Sequence, residues 1–230
     1  MFSSLQVLLG LFTAAWALSP PLVLQDSVHG QLNQLDDVKV PVVLGVMSRC
    51  PDAMLCESVF NRVLQRVGSK VDISLTFIAK PNTSEPVYGV TCMHGTEECA
   101  GNVQELCAAK YSSTSGWWDF LQCQNFQGRE KIGTPETALS CAKAAGIEWE
   151  NGPAGQCAGE DGQGEEGVRL LQESVQNTIS MGITKSCTIM INNEKVCIRD
   201  GTWYECEGGH APTDFIRQIN EEYERLNSDD

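Results

Sequence analysis

Two cysteines near the start of the chain have the type and spacing that could do redox chemistry. The segment CPDAMLC runs from Cys50 to Cys56, directly after Arg49. A thiolate is the species that attacks a disulfide, and both the backbone N–H groups at a helix start and a neighbouring positive charge stabilise it. We therefore predict that Cys50 attacks a substrate disulfide and that Cys56 resolves the mixed disulfide, although the charge of Asp52 opposes the thiolate.

The separation of this pair sets a geometric condition. Residues six apart on one regular helix lie about 10 Å apart at Cα, whereas a disulfide needs Cα atoms within about 7 Å. We expect Asp52 to cap a helix that starts at Ala53, so that Cys50 precedes the helix and can curl back over its first turn. The alternative is that Cys50 and Cys56 are structural and form bridges elsewhere.

The elements that would carry this pair follow from the pattern of apolar residues. Residues 38–46 read VKVPVVLGV, which is typical of a strand buried on both faces, and residues 71–79 read VDISLTFIA, a second strand. Between them, Leu55, Val59 and Val63 fall four apart and predict a helix over about 53–67. A strand, a helix and a strand of these lengths form a βαβ unit.

A helical segment follows the second strand. Residues 92–182 contain no convincing strand, and residues 151–167 carry six glycines and four acids, which predicts a solvated loop. The predicted helical stretches are Gly116 to Cys123, Glu136 to Ala145, and Val168 to Ile179.

The last part of the chain adds a hairpin and a helix. Residues 188–191 and 195–198 flank an Asn-Asn-Glu turn, and Thr213 can cap a final helix. The full order is β, α, β, helical insertion, β-hairpin, α. This is the order of an α/β, thioredoxin-like fold with a cysteine-rich helical insertion.

Composition and the first residues narrow the function classes. The chain has 30 acidic against 16 basic residues and a net charge of -14, which disfavours nucleic acid and anionic membranes as partners. Residues 1–17 form an apolar run ending in Ala-Trp-Ala, a predicted signal peptide. Residues 18–37 are then an N-terminal arm before a domain over 38–227, and no segment is long enough to span a membrane. Asn82 opens an N-x-[ST] match and is the predicted glycosylation site.

All eleven cysteines lie beyond the predicted cleavage point, which indicates a disulfide-stapled protein of an oxidising compartment. The odd number leaves at least one thiol unpaired, and Cys206 is a candidate. In a hairpin centred on Asn192, Cys187 and Cys197 face each other, so we favour a bridge between them. The alternative places Cys187 beside Cys50 as an extra redox thiol.

A dense motif opens the predicted insertion. Residues 92–107 read C-x-H-G-x-x-E-C-x-x-N-x-x-x-x-C, with fixed positions Cys92, His94, Gly95, Glu98, Cys99, Asn102 and Cys107. The cysteines can staple a turn onto a helix, while His94 and Asn102 can satisfy backbone groups. A zinc site is the competing interpretation. Cys and His in a secreted, disulfide-rich chain are usually taken up by bridges and hydrogen bonds, so no metal is predicted.

This motif resembles the signature of the gamma-interferon-inducible lysosomal thiol reductase family, with Met93 where the family usually has Gln. The similarity continues in GIEW at residues 146–149 and spans about residues 40–200. The resemblance implies a thioredoxin-like fold with a helical insertion and reduction of protein disulfides at acidic pH. It also implies a C-x-x-C pair at the first helix, to which Cys50 and Cys56 are similar in position.

Two departures from the family pattern stand out. The cysteine pair has three extra residues between its members. In addition, thioredoxin-like proteins carry a cis-proline before the third strand, where this chain has Ser186-Cys187-Thr188. Because a cis bond is costly without proline, we expect a trans bond there.

The sequence therefore predicts a secreted or endosomal/lysosomal thiol-disulfide oxidoreductase. Its partners would be disulfide-containing protein substrates and a small-thiol reductant, and the chemistry needs no bound cofactor. The alternative is a catalytically inactive secreted binding domain of the same fold, in which all cysteines are structural.

Overall fold

A five-stranded mixed sheet forms the centre of the computed structural model, which describes residues 37–228. Its strand order is β2-β1-β5-β6-β7. The strands are β1 (Val40–Val46), β2 (Val71–Phe77), β5 (Thr188–Ile191), β6 (Glu194–Asp200) and β7 (Thr202–Tyr204). A separate two-stranded ribbon pairs β3 (Lys80–Pro81) with β4 (Val90–Thr91).

The predicted βαβ unit is present at the start of this sheet. β1 and β2 pair in parallel, from Val40 opposite Val71 to Val46 opposite Phe77. Parallel neighbours need a crossover, which helix α1 (Pro51–Val67) provides. β1 lies between two strands, and most of its side chains are buried, as its continuous apolar run indicates.

The predicted hairpin is also present, but its register differs from the prediction. Asn192 and Asn193 both have positive φ, 48° and 67°, so they form a two-residue turn of the kind that suits tight hairpins. A register shift between Ile189 and Met190 moves the pairing by one further residue. Consequently Cys197 faces Ile189, and the predicted pairing of Cys187 with Cys197 is wrong.

Five helices lie between β4 and β5. They are α2 (Thr96–Tyr111), α3 (Thr114–Gln127), α4 (Pro135–Ala144), α5 (Pro153–Ala158) and α6 (Glu165–Ser180). The three predicted stretches correspond to α3, α4 and α6, while α2 is the helix expected within the 92–107 motif, for which no bounds were predicted. The predicted solvated loop over 151–167 contains the short helix α5.

The helices pack on the sheet and on each other through specific contacts. The Thr76 hydroxyl on β2 lies 3.0 Å from the Ser174 carbonyl oxygen on α6, to which it donates. On α1, the ring centroid of Phe60 lies 5.1 Å from that of Phe215 on the final helix α7 (Pro212–Asn227). Within residues 37–228, no helix is long and apolar enough to cross a bilayer.

Five disulfides staple the part of the chain that the structure describes. They join Cys56 to Cys187, Cys92 to Cys99, Cys107 to Cys157, Cys123 to Cys141, and Cys197 to Cys206. Three of these bridges lie within the residues of the helical insertion, where they connect α2 to β4's C-terminal turn, α2 to α5 and α3 to α4. Cys206 is bonded to Cys197, so the expectation that it is unpaired is wrong.

Candidate active site

Cys50 lies at the junction between β1 and α1. It is the N-cap of α1, with an extended backbone, and Pro51 occupies the first helical position, which suits proline because no N–H is needed there. The helix therefore starts two residues earlier than predicted, and Asp52 lies within the first turn instead of capping it. Within residues 37–228, Cys50 is the one cysteine without a disulfide partner.

The Cys50 thiol points toward the segment that precedes β5. Its Sγ atom lies 3.8 Å from the carbonyl oxygen of Ser186, to which the thiol can donate. The Ser186 hydroxyl in turn accepts from the backbone N–H of Met47 at 3.2 Å. Cys50 is only 6% exposed. The peptide bond between Ser186 and Cys187 is cis, so the expectation of a trans bond there is wrong.

The signature motif holds the residue two places before Cys50. The side-chain oxygen of Asn102 accepts from the backbone N–H of Ser48 at 3.0 Å, and the Ser48 hydroxyl donates to the carbonyl oxygen of Glu98 at 3.1 Å. Asn102 and Glu98 are fully buried on α2. The signature thus fixes the turn that leads into Cys50.

Gly101 permits this close approach of α2 to the Ser48 turn. A Cβ atom at position 101 would lie 2.6 Å from the Ser48 hydroxyl oxygen and 2.7 Å from a methyl carbon of Ile132. Real Cβ atoms do not come this close to other atoms, so with any larger residue at this position Ser48 and Ile132 would have to shift.

Arg49 is directed into the helical insertion. Its guanidinium donates to the carbonyl oxygen of Ile132 from Nε at 2.9 Å and from Nη2 at 2.8 Å, and Nη2 also reaches the carbonyl oxygen of Glu130 at 3.1 Å. The planar fork of the guanidinium suits this multiple donation. We predicted Arg49 as a charge beside the thiolate; its guanidinium also ties the turn to the α3–α4 loop.

Cys56 is bonded to Cys187 instead of pairing with Cys50. Both residues of this bridge are fully buried, and their Cα atoms are 6.3 Å apart. Because Cys50 caps the same regular helix, six residues along it correspond to a rise of about 9 Å. Direct closure between Cys50 and Cys56 by curling over the first turn is therefore incompatible with this helix.

Ala53 occupies the place that a C-x-x-C motif gives to its second cysteine. It lies three residues after Cys50, where helical side chains are neighbours, and it is fully buried. Counting the family spacing forward from Cys50 would have found this position in the sequence. The start of α1 therefore carries a single thiol, that of Cys50. The two other sulfurs near this site belong to the Cys56–Cys187 bridge.

Asp52 and Arg199 tie the start of α1 to the Cys187 segment. The guanidinium of Arg199 lies 2.9 Å from an Asp52 carboxylate oxygen, and the other oxygen accepts from the Gly201 N–H at 2.9 Å. The backbone of Arg199 also exchanges two hydrogen bonds with Cys187, at 2.7 and 2.8 Å. The negative charge of Asp52, which we expected to oppose a thiolate, is thus paired with a cation.

Two buried carboxyl groups lie behind this site. Glu57, directly after Cys56, is held by the Asn125 amide at 2.6 Å, and burial raises its pKa to about 7. Burial also raises the pKa of Glu105 on α2 well above its ordinary value, with the nearby charges of Glu57 and Glu98 adding to the effect. Among the described residues, each of these two carboxyls has one buried oxygen without a hydrogen-bond partner.

The remaining signature residues form a disulfide, an ion pair and a helix cap. Cys92 is bonded to Cys99, so neither sulfur is available as a zinc thiolate ligand. The His94 ring pairs with the carboxylate of Glu98, and Gly95 is the N-cap of α2 with a positive φ of 95°. A side chain would be strained at that φ.

Several contributors to the site were not found from the sequence. Ser48 and Ser186 carry no motif of their own, and they reach the Cys50 turn only because the fold brings distant segments together. For Cys187, the sequence offered the extra redox thiol as an alternative to a bridge with Cys197. The structure places it next to the residue that Cys50 contacts, and bonds it to Cys56.

Comparison with solved structures shows which fold this arrangement belongs to. The oxidised form of BdbD from Bacillus subtilis superposes with a TM-score of 0.55 at 18% identity, covering 82% of this chain and 90% of that one. MdbA, a thiol-disulfide oxidoreductase from Corynebacterium diphtheriae, gives 0.52 at 13% identity, covering 82% and 86%. The shared fold is thioredoxin-like, as predicted.

Fold and sequence together define a protein of the thiol oxidoreductase kind. The family model described as gamma interferon inducible lysosomal thiol reductase (GILT) matches residues 41–145. GILT-like protein 1 of Drosophila melanogaster is 27% identical over 173 residues, covering 68% of this chain and 67% of the relative. Both matches bear out the resemblance to the GILT family that the sequence motif indicated.

Proposed function

We propose that this protein is a thiol-disulfide oxidoreductase that reduces protein disulfides, with Cys50 as the attacking thiol. The observation that carries the proposal is the unpaired cysteine at the N-cap of α1, at the end of β1. Backbone N–H groups at a helix start favour a thiolate, and the Arg199 cation offsets the nearby charge of Asp52.

The reaction needs only the Cys50 sulfur and an external thiol. The Cys50 thiolate attacks one sulfur of a substrate disulfide, forms a mixed disulfide, and releases the other substrate sulfur as a thiolate. A small thiol then attacks the Cys50 sulfur, which frees the second substrate thiol. A second small thiol restores Cys50, so two small thiols are oxidised to one disulfide for each substrate bridge that is reduced.

We place this activity in the secretory pathway, either outside the cell or in endosomes and lysosomes. The bridges among residues 56–206 support an oxidising compartment. The predicted signal peptide over 1–17 and most of the arm over 18–37 lie outside the described residues. Asn82 remains the predicted glycosylation site. It lies in the partly exposed loop after β3, and its side-chain nitrogen donates to Thr91 at 3.0 Å.

A catalytically inactive binding domain is the second candidate, and specific observations favour it. Cys56 is bonded to Cys187, and Ala53 stands where a second active-site thiol is expected. Cys50 is also only 6% exposed. In this second candidate the fold would be retained for interaction, and the buried bridge would serve stability alone.

Reduction of a protein disulfide at acidic pH separates the two candidates. The purified chain, given a small thiol, should reduce the interchain bridges of insulin faster than the thiol alone, and Cys50→Ser should remove this acceleration. The double variant Cys123→Ser/Cys141→Ser, which loses a bridge between α3 and α4, is the matched control and should stay active. Equal rates for wild type and Cys50→Ser would establish the binding domain instead.

A further inference from the structure

Three cysteines meet where α1 begins and β5 is about to start. Cys50 contacts the carbonyl oxygen of Ser186, and the next residue, Cys187, is bonded to Cys56. We propose that Cys187 exchanges its disulfide partner between Cys56 and Cys50. The buried bridge then stores the oxidised state of the protein while Cys50 is left free. The proposal rests on the proposed function of Cys50 as the attacking thiol.

Cys187 is bonded to Cys56 and directly follows the residue that Cys50 contacts. Cys56 is already bonded to it, across a Cα distance of 6.3 Å. The Cys50 sulfur lies 3.8 Å from the carbonyl oxygen of the residue before it. In contrast, Cys50 and Cys56 are separated by a rise of about 9 Å along α1. A disulfide between them would require the helix to unwind, whereas exchange through Cys187 would not.

The surrounding contacts hold the three sulfurs together in a fixed frame. The backbone N–H and carbonyl groups of Cys187 are both hydrogen-bonded to the backbone of Arg199. The guanidinium of Arg199 pairs with Asp52 in the first turn of α1. On the other side of the cluster, Ser186 is held by the Met47 N–H, three residues before Cys50. The exchange can therefore proceed by rotation of cysteine side chains, with the helix and strand in place.

The exchange step balances without any external oxidant or reductant. The Cys50 thiolate attacks the sulfur of Cys187, and a Cys50–Cys187 bond forms as the Cys56–Cys187 bond breaks. Cys56 leaves as a thiolate and takes up a proton. The number of disulfides is unchanged, so the protein has two oxidised isomers that differ in which cysteine is free.

In turnover, the three reduced thiols would act in sequence. Cys50 attacks the substrate disulfide and releases the first substrate thiolate. Cys187 then attacks the Cys50 sulfur, which releases the second substrate thiolate and forms Cys50–Cys187. Finally, Cys56 attacks Cys187 and frees Cys50. The substrate has gained two electrons from the protein, and two small thiols return them by reducing the Cys50–Cys187 isomer to two thiols, forming one small disulfide.

Disulfide mapping of a cysteine variant tests the exchange without relying on activity. Cys56→Ser leaves Cys187 unpaired beside Cys50. After mild oxidation with diamide, acid quenching and alkylation under denaturing conditions, we expect a Cys50–Cys187 cross-linked peptide and the loss of two alkylatable thiols. The matched control Cys187→Ser should keep both Cys50 and Cys56 alkylatable. Two free thiols in Cys56→Ser, or a Cys50–Cys56 bridge in the control, would overturn the proposal.

The wild-type protein provides a second measurement that does not depend on whether a variant folds. After equilibration at pH 8 and acid quenching, the single free thiol is alkylated in denaturant. Exchange predicts label on both Cys50 and Cys56, whereas label confined to Cys50 would overturn it. If Cys50→Ser abolishes insulin reduction while the label stays on Cys50, the proposed function stands and the exchange alone fails. If Cys50→Ser remains active, the proposed function itself fails.

Discussion

Asn102 attaches the turn before Cys50 to helix α2, and its loss should be costly. Its side-chain oxygen is the acceptor for the buried N–H of Ser48. We expect Asn102→Ala to lower the free energy of unfolding by about 1–3 kcal/mol, because this buried donor is left without a partner. Urea denaturation of the disulfide-intact protein measures the change.

An asparagine on the surface is the control for this prediction. Asn151 is exposed, so Asn151→Ala should change the free energy of unfolding by no more than about 0.5 kcal/mol. A similar loss in both variants would show that Asn102 has no special role in holding the Ser48 turn.

At this scale, the sequence identified the chemistry of single residues better than their partners. The position of Cys50 at a helix start follows from a strand pattern directly before a helical one, and the structure has it there. The partners of Cys187 and Cys197 depend on a register set by the turn at Asn192 and by the shift after Ile189. Local patterns do not determine such a shift, so the bridge was assigned incorrectly.

A cysteine at position 53 would give the first turn of α1 a C-x-x-C pair with Cys50. Ala53 is one turn from Cys50 and fully buried. In Ala53→Cys, we expect a disulfide between Cys50 and the introduced thiol, because residues three apart on a helix start meet the distance that a disulfide needs. Peptide mapping after mild oxidation should show this bridge, and the Cys50 thiol should become protected from alkylation.

The variant Ala53→Ser separates the effect of sulfur from that of size. It should leave Cys50 alkylatable to the same extent as in the wild type. Absence of the bridge in Ala53→Cys, with both thiols free, would mean that the helix start holds these side chains apart.

Among the elements, those with a regular apolar pattern were predicted and those that bury polar groups were not. The strands β1 and β2 and the helix α1 follow directly from their sequences. Helix α2 buries Asn102, Gln104 and Glu105 among its apolar residues, so it shows no single apolar stripe. Asn102 is buried because it holds the Ser48 turn, and Gln104 because it donates to the Gly133 carbonyl oxygen and accepts from Gln124 on α3, contacts that only the assembled structure reveals.

At the scale of the whole molecule, the buried carboxyls make stability depend on pH. The pKa of Glu57 in the folded protein, about 7, lies above its ordinary value of 4.5. Between pH 4.5 and about 7, the folded state therefore holds a proton on Glu57 that the unfolded chain has released. The stability that this proton provides is fully present below pH 4.5 and is lost as the pH rises through about 7. The raised pKa of Glu105 acts in the same direction.

We expect the melting temperature to fall when the pH is raised from 5 to 8, and Glu57→Gln to reduce this fall. The glutamine is neutral at both pH values, so its melting temperature at pH 8 should exceed that of the wild type by on the order of 5 °C. Differential scanning calorimetry of both proteins at the two pH values measures the difference.

Exposed Glu150 offers the matched control, since Glu150→Gln removes a carboxylate that water already solvates. This variant should keep the pH dependence of the wild type. An unchanged pH dependence in Glu57→Gln would assign the effect to other groups.

The hydrogen bonds that join Asn102 and Glu98 to Ser48 also affect how relatives of this chain should be recognised. These motif residues hold the turn before Cys50 in place, and neither of them exchanges electrons. A lineage could lose either cysteine of the C-x-x-C pair and still be under selection to keep this turn. Genome surveys that count this motif would then be counting chains that keep this turn, and reductases should be recognised from the cysteines at positions 50, 53, 56 and 187.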